Sequence, residues 1–429
     1  MKPVIQLALD FTELRRALRV AEEAVEGGVD WLEAGTPLIK SEGMEAVRKL
    51  RDKFPDKVIV ADMKTADTGR LEVEIAAKSG ADVVCVLGNV AESTVRECIE
   101  AGKNYGAKIM VDLLEVEDLR KKAKDFEEWG ADYLCIHTPI DAQMRGEDPF
   151  QKLREVREKV RLPLAIAGGI TSENASQAVS SGANIIIVGG FIIKSPDPKK
   201  STRDLRRAID RRISIPTTLY KRLTGEKVRE ILERVSTPNI SDALHRRGAL
   251  TGIKPFVEGV KMVGRAFTVR TYPGDWAKPV EAIDKAEKGD VLVIDAGGRG
   301  PAVWGELATW SAKNRGLAGV VVDGAIRDVP EIRKLNFPAF ARLVTPQAGE
   351  PKGFGEMGIP LRIGGEMVEP GDWIVGDEDG VVVIPWRKVD EIANRAMDVL
   401  ERENRIRKEI QEGGTLSSVM ELLRWEKKR

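Results

Sequence analysis

Residues 57–88 read KVIVADMKTADTGRLEVEIAAKSGADVVCVLG. Two short apolar, β-branched runs, 57–63 and 82–88, flank a stretch with helical patterning. The runs are apolar almost throughout, which implies burial on both faces and hence a parallel sheet. The first run also carries Asp62, Lys64 and Asp67 within six residues of its end. Charges crowded there are costly unless they meet one another or a ligand.

The same unit recurs on either side of this stretch, from residue 3 to about 210. The strand-like runs are PVIQLALD, VDWLEAG, KVIVADM, DVVCVLG, KIMVDLL, DYLCIHT, PLAIAGG and NIIIVGG. Between them lie amphipathic patterns such as TELRRALRVAEEAVEGG, EDLRKKAKDFEEWGA and DPFQKLREVREKV. Eight evenly spaced alternations predict a closed (β/α)8 barrel, with a doubly wound open sheet as the alternative. In such barrels chemistry collects where strands end. The ends here are Asp10, Glu33, Asp62 with Lys64 and Asp67, Asp112, His137, Gly168–Gly169 and Gly189–Gly190. The two glycine pairs follow the seventh and eighth strands, where barrels bind phosphate with backbone N–H groups. Plainer roles stand beside these. Asp112 suits a helix cap, Asp10 a βα turn, and His137 a satisfied core position.

The 68 basic and 68 acidic side chains balance, which argues against nucleic acid or an anionic membrane as the main partner. No apolar run approaches the ~20 residues of a membrane span, and the start MKPVIQLALD is too short and acidic for a signal peptide. Cys85, Cys98 and Cys135 form no C-x-x-C pair, so neither a disulfide framework nor a cysteine zinc site is expected. A cytoplasmic protein is the expectation.

The pattern Asp62-x-Lys64-x-x-Asp67 resembles the signature of the orotidine 5′-phosphate decarboxylase superfamily. QLALD (6–10), LEAGTPLIKSEG (32–43), ADMKTADTG (61–69), IHTPIDAQMRGEDP (136–149) and AIAGGI (165–170) resemble the 3-hexulose-6-phosphate synthases within it. The resemblance implies aldol addition of formaldehyde to D-ribulose 5-phosphate, through an enediolate supported by Mg2+. It implies Glu33 and Asp62 as metal ligands and Lys64 as the cation for the enediolate. Asp67 would orient Lys64, His137 would be the acid/base, and Asp10 would contact substrate hydroxyls. Decarboxylation of 3-keto-L-gulonate 6-phosphate, which shares the intermediate, is the neighbouring activity. Related enzymes often carry Gly-Arg in the last phosphate loop, whereas this chain has Gly189-Gly190. Phosphate binding is then expected from Gly168, Gly169, Gly189 and Gly190, helped by Lys194.

A boundary is expected near residue 212, in a basic stretch broken by Pro216. Beyond it, in 213–429, short strands and glycine-rich turns predict a mixed α/β domain rather than a second barrel. Twenty residues lie between Glu306 and Arg327-Asp328. An arginine beside an aspartate after the apolar run VVVDGAI suits a carboxylate ligand and a metal, and it equally suits a surface ion pair. STPNISDAL (236–244), GRAFTV (264–269), GGRGPAVWGELA (297–308), VVDGAIRD (321–328) and EPGDWIVGDEDGVVVIP (369–385) resemble the family of the regulator of ribonuclease activity A and the class II 4-hydroxy-4-methyl-2-oxoglutarate aldolases. By that resemblance Asp328 binds Mg2+ or Mn2+, and Arg327 with the backbone of Gly305, Glu306 and Leu307 holds a 2-oxo acid. Glu306 stands where those aldolases have Asp. A non-catalytic regulatory or oligomerising module is the alternative for this half, and homo-oligomers are usual in both families.

Overall fold

The computed structural model describes residues 2–139, 149–217, 219 and 222–420. The chain divides into two compact units, Met1–Lys221 together with Asn404–Arg429, and Arg222–Glu403. The expected division at 212 thus differs from the observed one chiefly at the C-terminus, where the end of the long helix Val389–Gln411 groups with the first unit. Its charged sequence gave no sign of that change of neighbours.

The first unit is a closed barrel of eight parallel strands, in chain order. They are β1 Val4–Leu9, β2 Trp31–Ala34, β3 Val58–Thr65, β4 Val83–Leu87, β5 Lys108–Asp112, β6 Tyr133–His137, β7 Leu164–Ala167 and β8 Ile185–Val188. β8 pairs back onto β1, Val4 opposite Ile185 and Leu7 opposite Val188, so no edge is left. Successive strand side chains alternate between the two faces. One set, including Ala8, Val60, Val83, Cys85, Met110, Cys135, Ala165 and Ile187, fills the barrel interior. The other, including Ile5, Leu7, Leu9, Leu32, Ile59, Val84 and Leu134, packs outward beneath the helices. Burying each such side chain stabilises the fold by about 1.5–3 kcal/mol. Continuing the inward parity past the apolar layer reaches Asp10, Asp62, Asp112 and His137. Two-residue periodicity is therefore what gathers the rim.

The barrel's last helix, Pro198–Arg211, starts at Asp197, whose carboxylate accepts the Lys200 N–H, with proline in the first turn.

The second unit is built on an eight-stranded mixed sheet and a separate two-stranded one. Its strands are β9 Lys254–Pro255, β10 Met262–Arg270, β11 Val291–Asp295, β12 Gly319–Ile326, β13 Ala339–Val344, β14 Glu356–Met357, β15 Leu361–Ile363, β16 Glu366–Val368, β17 Trp373–Asp377 and β18 Gly380–Ile384. The main order is β18-β17-β10-β11-β12-β13-β9, with β14 also on β10, while β15 and β16 form the two-stranded sheet. β10 to β13 run parallel, and β12 is buried along its whole length. A helix enters at Ser236 through a capping box with Asn239. No helix among the described residues is long and apolar enough to cross a membrane.

Candidate active sites

The barrel rim is organised around β3. Its pairing with β4 shifts between Ala61 and Thr65, and Lys64 sits in the left-handed region at φ 50°. A bulge of this kind re-aims side chains, and the strained backbone marks a place where function constrains geometry. The Lys64 ammonium lies 2.9 Å from Asp62 Oδ1 and 2.9 Å from Asp112 Oδ2. The same Asp112 oxygen meets His137 Nδ1 at 3.0 Å, and Asp112 Oδ1 accepts the Leu114 N–H. Thr36 Oγ1 donates to Asp62 Oδ2 at 2.7 Å. Gln6 Nε2 donates to Glu33 Oε2 at 2.6 Å, both side chains being buried.

Charge sets the protonation states. Burial works against the Lys64 ammonium, but Asp62 and Asp112 outweigh it and hold it above the usual lysine value. Burial alone would raise the Asp112 carboxyl, yet the hydrogen bonds and charges of His137 and Lys64 keep it below the ordinary aspartate value. An ionised Asp112 can only accept, so His137 Nδ1 carries the proton and Nε2 is the basic nitrogen. Glu33 is pushed well up, first by burial and then by Asp62 and Asp10. Asp10 is raised by burial and then by Asp62. Asp10 itself is exposed to solvent at the rim. Gly35 makes room for it: a side chain there would collide with Asp10 Oδ1 and stand 2.9 Å from Leu9 O.

Asp62, Lys64, His137, Glu33 and Asp10 therefore converge as the sequence led one to expect. Asp67 does not. Its Oδ1 accepts its own neighbour's Thr68 N–H at 2.7 Å, and the residue is exposed. Lying past the end of β3, its carboxylate turns to the local backbone, and Asp112 takes the orienting place beside Lys64. Asp112 was visible as a strand end, but nothing in the sequence chose between a cap and a charge bridge. Gln6 and Thr36 lie in motifs that carry the resemblance, yet nothing marked them as partners of Glu33 and Asp62, because those roles depend on which strands become neighbours. Residues 140–148 of the motif that follows His137 lie outside the described residues.

Gly168 and Gly169 both take left-handed conformations, at φ 105° and 69°. The space beside Gly189 faces Asp10 Oδ2 at 3.3 Å. Cys85 and Cys135 lie buried in the apolar layer, and burial pushes both thiols well up.

In the second unit, Gly305, Glu306, Arg327 and Asp328 come together. Arg327 N donates to Trp304 O at 3.0 Å, which brings the end of β12 beside the start of the helix Glu306–Asn314. Asp328 Oδ2 accepts the Glu306 N–H at 3.3 Å and lies 3.4 Å from Arg327 Nε. A side chain at Gly305 would begin 2.7 Å from Asp328 Oδ2 and 3.2 Å from Arg327 Cγ, so both side chains close directly over this glycine. Asp328 is held at φ 57°. The Leu307 side chain points to solvent, 79% exposed, leaving only its backbone for this place.

Comparison with known proteins matches these two halves separately. Residues 3–205 match the family model "Orotidine 5'-phosphate decarboxylase / HUMPS family", and residues 237–383 match "Aldolase/RraA". A 3-hexulose-6-phosphate synthase of Bacillus subtilis is 34% identical over 206 residues, 48% of this chain and 98% of that protein. One from Staphylococcus aureus is 36% identical over 207 residues, 48% of this chain and 98% of that protein. The solved structure of the RNA-processing inhibitor RraA from Thermus thermophilus is 34% identical, covering 35% of this chain and 92% of that one with a TM-score of 0.33. The chain belongs, through its N-terminal barrel, to the orotidine 5′-phosphate decarboxylase / HUMPS family, and it carries an RraA-like domain after it.

Proposed function

We propose that the barrel adds formaldehyde to D-ribulose 5-phosphate, giving D-arabino-hex-3-ulose 6-phosphate. The observation that carries this is the Asp112 carboxylate, which touches both the Lys64 ammonium and His137 Nδ1. A base held beside a fixed cation is what proton removal next to a ketone requires. His137 Nε2 takes the proton from the carbon next to the ketone, and Lys64 holds the developing oxyanion. The carbanionic carbon then attacks formaldehyde, forming the new C–C bond, and the resulting alkoxide takes its proton back from His137. Asp10 receives substrate hydroxyls, and the backbone at Gly168, Gly169, Gly189 and Gly190 takes the phosphate.

Glu33 and Asp62 fit Mg2+. They are hard oxygen donors, and the repulsion among Glu33, Asp62 and Asp10 is what a divalent cation relieves. Among the described residues no group of three or more His, Cys, Asp or Glu side chains is disposed to hold a metal. When bound, the ion supplies positive charge for the substrate's vicinal oxygens.

The test is incubation of the full chain with ribulose 5-phosphate and formaldehyde, and separately with 3-keto-L-gulonate 6-phosphate. Hexulose phosphate in the first and no pentulose phosphate in the second supports the synthase, and the reverse supports the decarboxylase.

For the second unit we propose metal-dependent cleavage of a 4-hydroxy-2-oxo acid, or decarboxylation of oxaloacetate. Arg327 would hold the carboxylate and Asp328 would bind Mg2+ or Mn2+, the two being brought together over Gly305. Asp328→Ala abolishes Mn2+-dependent oxaloacetate turnover on this reading. A binding module with no chemistry shows no such turnover in the wild type.

A further inference from the structure

The turn after the short helix Gly190–Ile193, which itself follows β8, is gripped by side chains of the C-terminal segment. Arg405, its side chain only 9% exposed, sends Nη1 to Ile193 O and to Ser195 O, both at 2.9 Å. Those carbonyls flank Lys194. Lys408 Nζ donates to Pro196 O at 2.6 Å. Arg405 Nε meets Glu409 Oε1 at 3.2 Å, and Glu409 in turn meets Arg16 and Arg19 at 3.3 and 3.0 Å. All of these residues belong to the first unit.

Lys194 caps the C-terminal end of that short helix. Its N–H donates to Gly190 O at 3.1 Å, and its Nζ lies 3.7 Å from the point where a Gly190 side chain would begin. An ammonium therefore stands beside the Gly189–Gly190 turn.

A buried ion cluster is a weak device for stability alone, because desolvation offsets most of its Coulomb gain. What a guanidinium adds over an apolar side chain is a rigid fork that fixes backbone direction. We propose that Arg405 is a positioning residue for the barrel's sugar-phosphate site: by holding the carbonyls of residues 193 and 195 it keeps Lys194 aimed over Gly190, where Lys194 binds the substrate's phosphate. This rests on the reading that the glycine turns take a phosphate monoester, and it gives the C-terminal segment a part in the barrel's chemistry.

The full chain is assayed with ribulose 5-phosphate and formaldehyde, and inorganic phosphate binding is measured separately by calorimetry. Arg405→Met raises KM for ribulose 5-phosphate and the phosphate Kd by about tenfold, the scale of one charge-assisted contact, with kcat within about twofold. Lys194→Met does the same, and the double variant is no worse than Lys194→Met alone, because both act on one contact. Arg405→Lys, which can reach one carbonyl but not both, falls between wild type and Arg405→Met; it decides the matter if the methionine variant does not fold. Unchanged phosphate affinity in Lys194→Met, or in a folded Arg405 variant, overturns the proposal, as does an additive double variant. Phosphate binding that responds to these variants in a chain without synthase activity would sink the reaction reading while leaving the positioning role intact.

Discussion

Asp112→Asn is the sharpest probe of the barrel site. The carboxylate makes two contacts through one oxygen, to Lys64 Nζ at 2.9 Å and to His137 Nδ1 at 3.0 Å. Asparagine keeps the shape but removes the charge, and its single oxygen serves either the Leu114 N–H or the Lys64–His137 pair, not both. Each hydrogen bond to a charged group is worth about 1.5–3 kcal/mol. An amide oxygen retains part of one of them. A loss of about 3–4 kcal/mol in the transition state corresponds to a fall of about 10²–10³ in kcat, within the ~10²–10⁴ ascribed to a positioned acid or base. Folding should suffer less, because Lys64 keeps Asp62 and no charge is stranded. The assay is hexulose phosphate formation at saturating ribulose 5-phosphate and formaldehyde, with thermal unfolding as the control. A folded Asp112→Asn enzyme with kcat within about threefold of wild type would refute the bridge as the source of the base. Its pH dependence has a fixed sign. The folded carboxyl lies below its ordinary value, so Asp112 adds stability above the unfolded aspartate range and loses it as the pH falls through the lowered value.

Other outcomes follow from the same geometry. Gly35→Ala forces its new methyl against Asp10 and Leu9 O; overpacking of this kind destabilises by about 1–3 kcal/mol, so a lower denaturation midpoint and a raised KM for ribulose 5-phosphate are expected. Mg2+ at ten times its Kd should add about 1.4 kcal/mol to wild-type stability, and Glu33→Gln should lose that increment while unfolding later than wild type in EDTA. The buried Cys98 thiol is pushed up to about 12 from 9.0, so its contribution to stability holds below pH 9.0 and fades as the pH climbs towards about 12. Native protein at pH 8 should accordingly resist Ellman's reagent at Cys85, Cys98 and Cys135, all buried, and expose all three on unfolding.

What was legible in the sequence is what depends on neighbours along the chain. Val58–Ala61 announce a strand, period two puts Val60 and Asp62 on one face, and eight such units close because each must bury its apolar surface. Charges at strand ends were therefore readable as a rim. Which charge meets which was not, because that depends on register across strands. Asp112 reaches Lys64 from β5 and His137 from β6, and only the observed barrel brings those three ends together. Asp67 lies apart from Lys64 within this chain for the complementary reason: sequence proximity suggested contact, yet the backbone at Thr68 meets its carboxylate locally. In the second unit the spacing between Glu306 and Arg327-Asp328 was visible, while Gly305, which lets Asp328 and Arg327 close over the helix start, was legible only as backbone. Arg405 is the extreme case. It sits in a highly charged helix more than two hundred residues from the carbonyls it holds, and no local pattern separates it from the solvated arginines around it. Long-range backbone capture by a single side chain leaves no periodic trace, so residues of this kind become visible only once the chain has folded back on itself.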